Sequence, residues 1–452
     1  MLKKKEPRFT DQNQKHAHWH GFTQMGHYEP LVIESGQGCW LRSTDGRKLL
    51  DGVSSLWCNV HGHNHPQINQ AIADQLDRVA HVTSLGMSAD ISEKLAQRLV
   101  EITPGDLSHV FFSSDGSSSV EAALKMAFQY WQQRPDPRPE KTKFLALDLA
   151  YHGDTTGAVS LGGIKFFHEL FAPILFSPVR GPLPCSYRLP PGITQHDAAE
   201  HYAKQIEHLL QTHHRSLAAI VMEPLVQGAA GMITHPEGLL ARVRQLCDQF
   251  DVLLICDEVA TGFGRTGRLF ACQHESVTPD ILCLGKGLTS GYLPMAATIA
   301  RPTVYEAFIA PVSASKQFFH GHTFGGNPLA AAAALASIEL FQTDDVCSHA
   351  ITQADRLRTR LQRIADHPHV GSLRGRGLMV GIELVADRQQ QSPFDPADGV
   401  GRRVCEHAID HGVWIRPLTD VIVLMPPLVA NDQEIDLLAD IACDAIEKTL
   451  SN

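Results

Sequence analysis

Dense apolar runs, each closed by a turn residue, punctuate the middle of the chain: HVFFSS (109–114), KFLALDLA (143–150), LAAIVMEPLV (217–226), VLLICDEV (252–259) and DILCLGKG (280–287). Runs this short, apolar at consecutive positions, predict strands buried on both faces. Between them the spacing turns helical. Val120, Ala123, Leu124, Ala127 and Trp131 fall at i, i+3, i+4, i+7 and i+11, one side of a helix. The alanine-rich stretch after Asn327-Pro328 is a strong helix former. Strands alternating with helices predict an α/β fold whose mostly parallel sheet is covered on both faces. Residues 31–60 instead break apolar runs with Gly and Asp, the pattern of small strands and hairpins. Beyond about residue 343, a helix, the strand-like VGSLRGRGLMVGIELV and VWIRPLTDVIVLMPP, and a last helix predict a smaller α+β lobe. RPDPRPEK (134–141) reads as a proline-rich surface connection.

Composition narrows the function. With 43% hydrophobic and 19% charged residues, the 452-residue chain suits a large folded core and more than one domain. A net charge of −10 disfavours non-specific nucleic-acid or membrane-surface binding. No apolar run reaches the roughly 18–20 residues of a membrane span. The basic N-terminus lacks the apolar segment of a secretory signal. Ten cysteines without a C-x-x-C pair, several inside apolar runs, read as reduced thiols of a cytoplasmic protein.

Several motifs fail their own requirements. GFGRTG (262–267) matches G-x-G-x-x-G, yet no long helix pattern follows and position 287 is Gly rather than an acid. His61, His63 and His65 alternate, as do His16, His18 and His20. Neither set has a cysteine or carboxylate partner at ligand spacing, so loop roles are expected and no metal. GSSSV (116–120) misses the nucleophile elbow, and Ser313-x-x-Lys316 stands alone. The informative set is distributed. FFSSDGSSSVEAALKM is a strand, a Gly/Ser loop and a helix start, an arrangement that attracts phosphate, although a serine-rich helix cap needs no ligand. Asp257 ends one predicted strand and Lys286 the next, so both face the crevice where open sheets bind ligands; a structural ion pair is the plain alternative. A phosphate cup, a carboxylate and a lysine together suit pyridoxal phosphate. Tyr151, in AYHGDT, is placed to stack on its ring.

The motifs DEVATGFGRTG, LGKGLTSGYLP, HGHTFGGNPLAAAAA, EPLVQGAAGM, AYHGDT and VWIRP resemble those of class III pyridoxal-phosphate aminotransferases, from about residue 16 to the C-terminus. HGFTQM, DGVSSLWCNVHGHNHPQI, LKMAFQYW and IRPLTDVIVLMPPL are most similar to the branch of adenosylmethionine-8-amino-7-oxononanoate aminotransferases, which form 7,8-diaminononanoate for biotin. The resemblance implies the type I aminotransferase fold, with a large cofactor domain over 54–342 and a small domain joining 1–53 to 343–452. It implies a homodimer with shared active sites. Lys286 matches the lysine that carries the cofactor, Asp257 the partner of its pyridine nitrogen and Tyr151 the stacked ring. Asp115, Gly116 and Ser117 match the phosphate loop, where Asp115 replaces the usual serine and should turn its carboxylate away. His322 and Thr323 match the segment reaching the partner's phosphate. Phe22, Trp57, Asp154, Arg265, Gly321 and Arg416 match substrate-site positions, Arg416 as the carboxylate clamp. Phe22, Leu56 and Val423 stand where adenosylmethionine-using relatives carry aromatic or hydroxyl-bearing residues. These changes widen the expected pocket, as in Bacillus-type relatives, and leave adenosylmethionine or lysine as donor. Two rivals stand beside this reading. One is another omega-aminotransferase using a polyamine, β-alanine or taurine with pyruvate. The other is a non-catalytic, metal-binding protein suggested by the 25 histidines.

Overall fold

A computed structural model describes residues 17–451. His16 therefore lies outside the described residues. At its centre is a seven-stranded sheet. In spatial order its strands are His109–Ser113, Ala296–Ala300, Ile281–Leu284, Leu253–Asp257, Leu217–Met222, Lys143–Ala146 and Val179–Arg180. Only Ala296–Ala300 runs against the rest, antiparallel to both neighbours. The sheet is mixed and mostly parallel, as the apolar runs imply.

Alternate strand residues feed two cores. Leu254, Cys256 and Leu282 pack on one face with Leu239, Val243 and Leu246. Leu253, Ile255 and Cys283 pack on the other with Val120, Ala123, Leu124, Ala127 and Trp131. Those five belong to the helix Gly116–Gln133 and are all buried, the side its spacing marks. Asp115 caps this helix, accepting from the Ser118 amide at 2.9 Å. Asn327 caps the second predicted helix, Pro328–Thr343, in the same way.

Several predicted strands are shorter than their apolar runs. KFLALDLA pairs only to Ala146 because Leu149 adopts a left-handed φ of 55° and turns the chain. LAAIVMEPLV ends at Met222, and Val226–Gln227 leaves to pair with Ile233–Thr234. In the proline-rich connection Lys141 is buried rather than exposed. Its ammonium donates to the carbonyls of His214, Leu217 and Asp251 at 2.8, 3.1 and 2.6 Å. Burial lowers its pKa to about 8.

The two ends of the chain share a sheet. Ile33–Gln37, Trp40–Ser43 and Lys48–Asp51 form antiparallel hairpins, and Val413–Trp414 adds parallel to the last. Two residues on, Arg416–Leu418 enters a second sheet with Val421–Leu424, Met379–Leu384 and Val370–Arg376. GFGRTG forms a buried turn, with Gly264 at φ 81° against Leu428 and Phe341, where core packing leaves no room for a phosphate. Of the alternating histidines, His61 turns inward onto the Ser337 carbonyl and His63 pairs with Asp51. All ten cysteines are free thiols. No helix among the described residues is long and apolar enough to cross a membrane.

Trp131 joins helix to sheet, donating from Nε1 to the Ala218 carbonyl at 2.8 Å while fully buried. Trp131→Ala should cost about 3–5 kcal/mol, visible as a lowered thermal midpoint. An unchanged midpoint would show that this contact is not structural.

Candidate active site

At the carboxyl edge of the sheet, Asp257 lies opposite Cys283 in the parallel register. The neighbouring strand ends at Leu284 and continues through Gly285 into Lys286. Lys286 has a left-handed φ of 41°, a strained backbone for a lysine and the kind of outlier that concentrates at functional sites. Beside it a cavity of about 750 Å³ is lined by Leu56, Trp57, Asp115, Gly116, Ser117, Tyr151, Asp154, Asp257 and Lys286 among others.

Close packing forms the cavity floor. A Cβ on Gly116 would lie 2.4 Å from Val259 Cγ1, and one on Gly153, at φ 113°, would lie 2.5 Å from Ser117 Cβ. Neither position admits a side chain. The amides of Gly116 and Ser117, first in their helix, have no acceptor among the described residues. Ser117 Oγ meets Thr155 Oγ1 at 2.7 Å. Asp115 points both carboxylate oxygens at Ser118, back along its own helix.

Asp257 is held at both oxygens: Val259 N donates to Oδ1 at 3.0 Å, and His152 Nδ1 lies 2.7 Å from Oδ2. His152 Nε2 is buried without a partner. Glu223 accepts from the amides of Gly228 and Tyr151 at 2.8 and 3.3 Å, and burial raises its pKa to about 7. Tyr151 donates to Asp154 at 2.7 Å. Burial first, then Asp154, pushes its hydroxyl well above the usual range. Lys286 Nζ makes no hydrogen bond or ion pair with any described residue, and lies 5.3 Å from the centre of the Trp57 ring. Burial lowers its pKa against the opposing pull of Asp257 and Glu223. Free amides at a helix start, an anchored carboxylate, an unpaired amine and flat aromatic walls fit a phosphorylated pyridine aldehyde.

The profile of aminotransferase class-III matches residues 23–450. The chain belongs to the class III aminotransferases. It is 48% identical over 434 residues, 95% of each chain, to the adenosylmethionine-8-amino-7-oxononanoate aminotransferase of Geobacter sulfurreducens. The crystal structure of the enzyme of that name from Methanocaldococcus jannaschii aligns at TM-score 0.90 and 41% identity, over 96% of this chain and 97% of that one. An omega transaminase from Pseudomonas jessenii, in complex with PMP, aligns at TM-score 0.92 and 30% identity, over 96% of both chains. Pyridoxal phosphate is the cofactor of this class.

Other residues expected at the active site of this aminotransferase lie outside the cavity lining. Arg265 is a buried tie: Nη1 donates to the Pro426 carbonyl at 2.6 Å and Nη2 to that of Asn59 at 2.7 Å. Its charge still reaches Lys286, whose ammonium it disfavours. Val423 is buried in the cluster that seats Trp57, so its small side chain does not widen the cavity. Leu56 does line the cavity and is half exposed. Phe22 is largely exposed, with its ring edge-on to Phe167, which lies 6.5 Å from Tyr151. Arg416 is half-buried at a strand start, with no hydrogen bond or ion pair to a described residue. Gly321 and Thr323 are exposed and His322 is half-buried. His152 and Glu223 went unassigned at the level of sequence. Their signals were adjacency to Tyr151 in AYHGDT and the first position of EPLVQGAAGM.

Burial keeps a proton on Glu223 that the unfolded chain releases. Its stabilisation is complete below the ordinary carboxylate pKa of 4.5 and fades as pH rises through about 7. In cofactor-free enzyme, Glu223→Gln should therefore flatten stability against pH across that window, by on the order of 1 kcal/mol per pH unit. Parallel wild-type and variant curves in pH-resolved thermal unfolding would contradict this.

Proposed function

We propose that this aminotransferase converts 8-amino-7-oxononanoate to 7,8-diaminononanoate in biotin synthesis, with adenosylmethionine or lysine as amino donor. The observation that carries the reading is 48% identity, over nearly the whole chain, to a relative named for that reaction. The half-buried guanidinium of Arg416, unpaired among the described residues, supports a carboxylate-bearing substrate, because its fork matches two oxygens.

When bound, pyridoxal phosphate supplies the electron sink and stores the amino group between half-reactions. The amides of Gly116 and Ser117 and the Ser117 hydroxyl hold its phosphate. Asp257, fixed by His152 and Val259, holds the proton on the ring nitrogen. Tyr151 covers the ring. Lys286 would be the attachment point, and its Nζ, when free, would carry the proton from the donor carbon to the cofactor carbon. Burial favours its neutral amine, the form that can take a proton. Trp57 and Tyr151 wall the substrate space.

His322 and Thr323 complete the phosphate cup of a second copy, which makes the active unit a homodimer, and Gly321 beside them contacts substrate. Exposed Leu85 and Phe324 beside that segment support burial against another subunit. The cofactor unit spans 54–342 and the smaller unit joins 1–53 to 343–452, supported by the pairing of Val413–Trp414 with Lys48–Asp51. Ten free thiols support a cytoplasmic location.

Second-order rate constants for adenosylmethionine, lysine and a polyamine with pyruvate test the substrate reading. Amination of 8-amino-7-oxononanoate by either of the first two is expected. Turnover of polyamine with pyruvate alone would favour the omega-transaminase rival. Lys286→Ala should abolish turnover with every donor, and retained activity would remove Lys286 from its role.

A further inference from the structure

A second cavity, of about 580 Å³, lies between the strand Val370–Arg376, the end of the helix Val346–Leu361 and the segment around His235. It shares no lining residue with the first. Its volume falls within the range of small-molecule sites.

Arg358, Arg374 and Arg376 line it, against one acid, the exposed Glu237. Arg374 is satisfied within the fold, by Glu383 and the carbonyls of Gly231 and Met232. The other two are not. Arg358 gives one nitrogen to the Gly377 carbonyl at 3.2 Å, and its only ion pair among the described residues is a 3.5 Å contact with exposed Asp355. Arg376 is half-buried and makes no hydrogen bond or ion pair with any described residue. Burial disfavours the charge on Arg358, Asp355 restores part of it, and Arg376 is close enough to add a smaller repulsion.

Two stranded polar atoms accompany them. His235 is 3% exposed, and its Nδ1 has no partner while Nε2 faces Gln227 at 3.2 Å. The Tyr187 hydroxyl, on the same lining, is buried and unpartnered as well. Both atoms are sealed from solvent, so the arginines are the groups that face the open cavity. Guanidiniums with unspent donors select an anion, and their fork fits carboxylate or phosphate oxygens.

We propose that this cavity binds a small organic anion, gripping its carboxylate or phosphate group with Arg358 and Arg376. The site is separate from the transamination site.

Calorimetric titration of the cofactor-loaded enzyme tests this with two probes, inorganic phosphate and succinate. Loading fills the phosphate cup, so phosphate binding must come from elsewhere. Saturable binding of at least one probe is expected, and the preferred probe tells phosphate from carboxylate. Arg376→Gln and Arg358→Gln should each weaken it about tenfold or more, with transamination unchanged. Absence of saturable binding to the wild type would overturn the proposal, as would equal binding by both variants.

Discussion

Asp257 and Lys286 leave the central sheet from adjacent parallel strands, and the register pairing Asp257 with Cys283 is the constraint on which the site is built. Because both strands are buried along their length, a one-residue slip would turn apolar side chains out of one core and into the other. The register is therefore fixed by packing far from the chemistry. Everything polar at the sheet edge then has a predetermined neighbour. Val259 follows Asp257 closely enough to donate its amide to that carboxylate and to press against Gly116. The phosphate-loop helix, the carboxylate and the lysine strand thus share one small contact region.

Electrostatics at this edge are arranged by burial more than by pairing. Lys286 makes no hydrogen bond or ion pair with any described residue, and burial favours its neutral amine, the form able to take a proton. Glu223, buried nearby, is pushed toward neutrality and spends its oxygens on the amides of Tyr151 and Gly228. Asp257 differs in being anchored at both oxygens. The cavity lining accordingly holds both a fixed carboxylate and a helix start whose amides have no acceptor among the described residues. A cofactor bearing a cationic ring nitrogen and a phosphate meets complementary charge at each end.

Much of this was legible in the sequence, for physical reasons that differ by element. Continuous apolar runs revealed the strands carrying Asp257 and Lys286, because parallel strands are buried on both faces. The strand Ala296–Ala300 was not legible: AATIA has weak strand propensity and gains its form from the neighbours that pair with it. The capping role of Asp115 follows from its place one residue before a helix. Arg265 shows the opposite case. A motif position suggests a polar group near substrate, whereas the fold spends its fork on two buried carbonyls. Val423 misleads similarly, since a residue read as pocket wall is the seat beneath Trp57. Such distinctions depend on which side of a wall a residue occupies, and spacing along the chain does not encode that.

The central claim is that the unpaired amine at the end of the Ile281–Leu284 strand carries the cofactor. Reduction of the purified, cofactor-loaded enzyme with borohydride, followed by proteolysis and mass mapping, tests it directly. The account predicts a single phosphopyridoxyl group, on the peptide containing Lys286. The same label on another lysine, or no covalent label on enzyme that turns over, would contradict it.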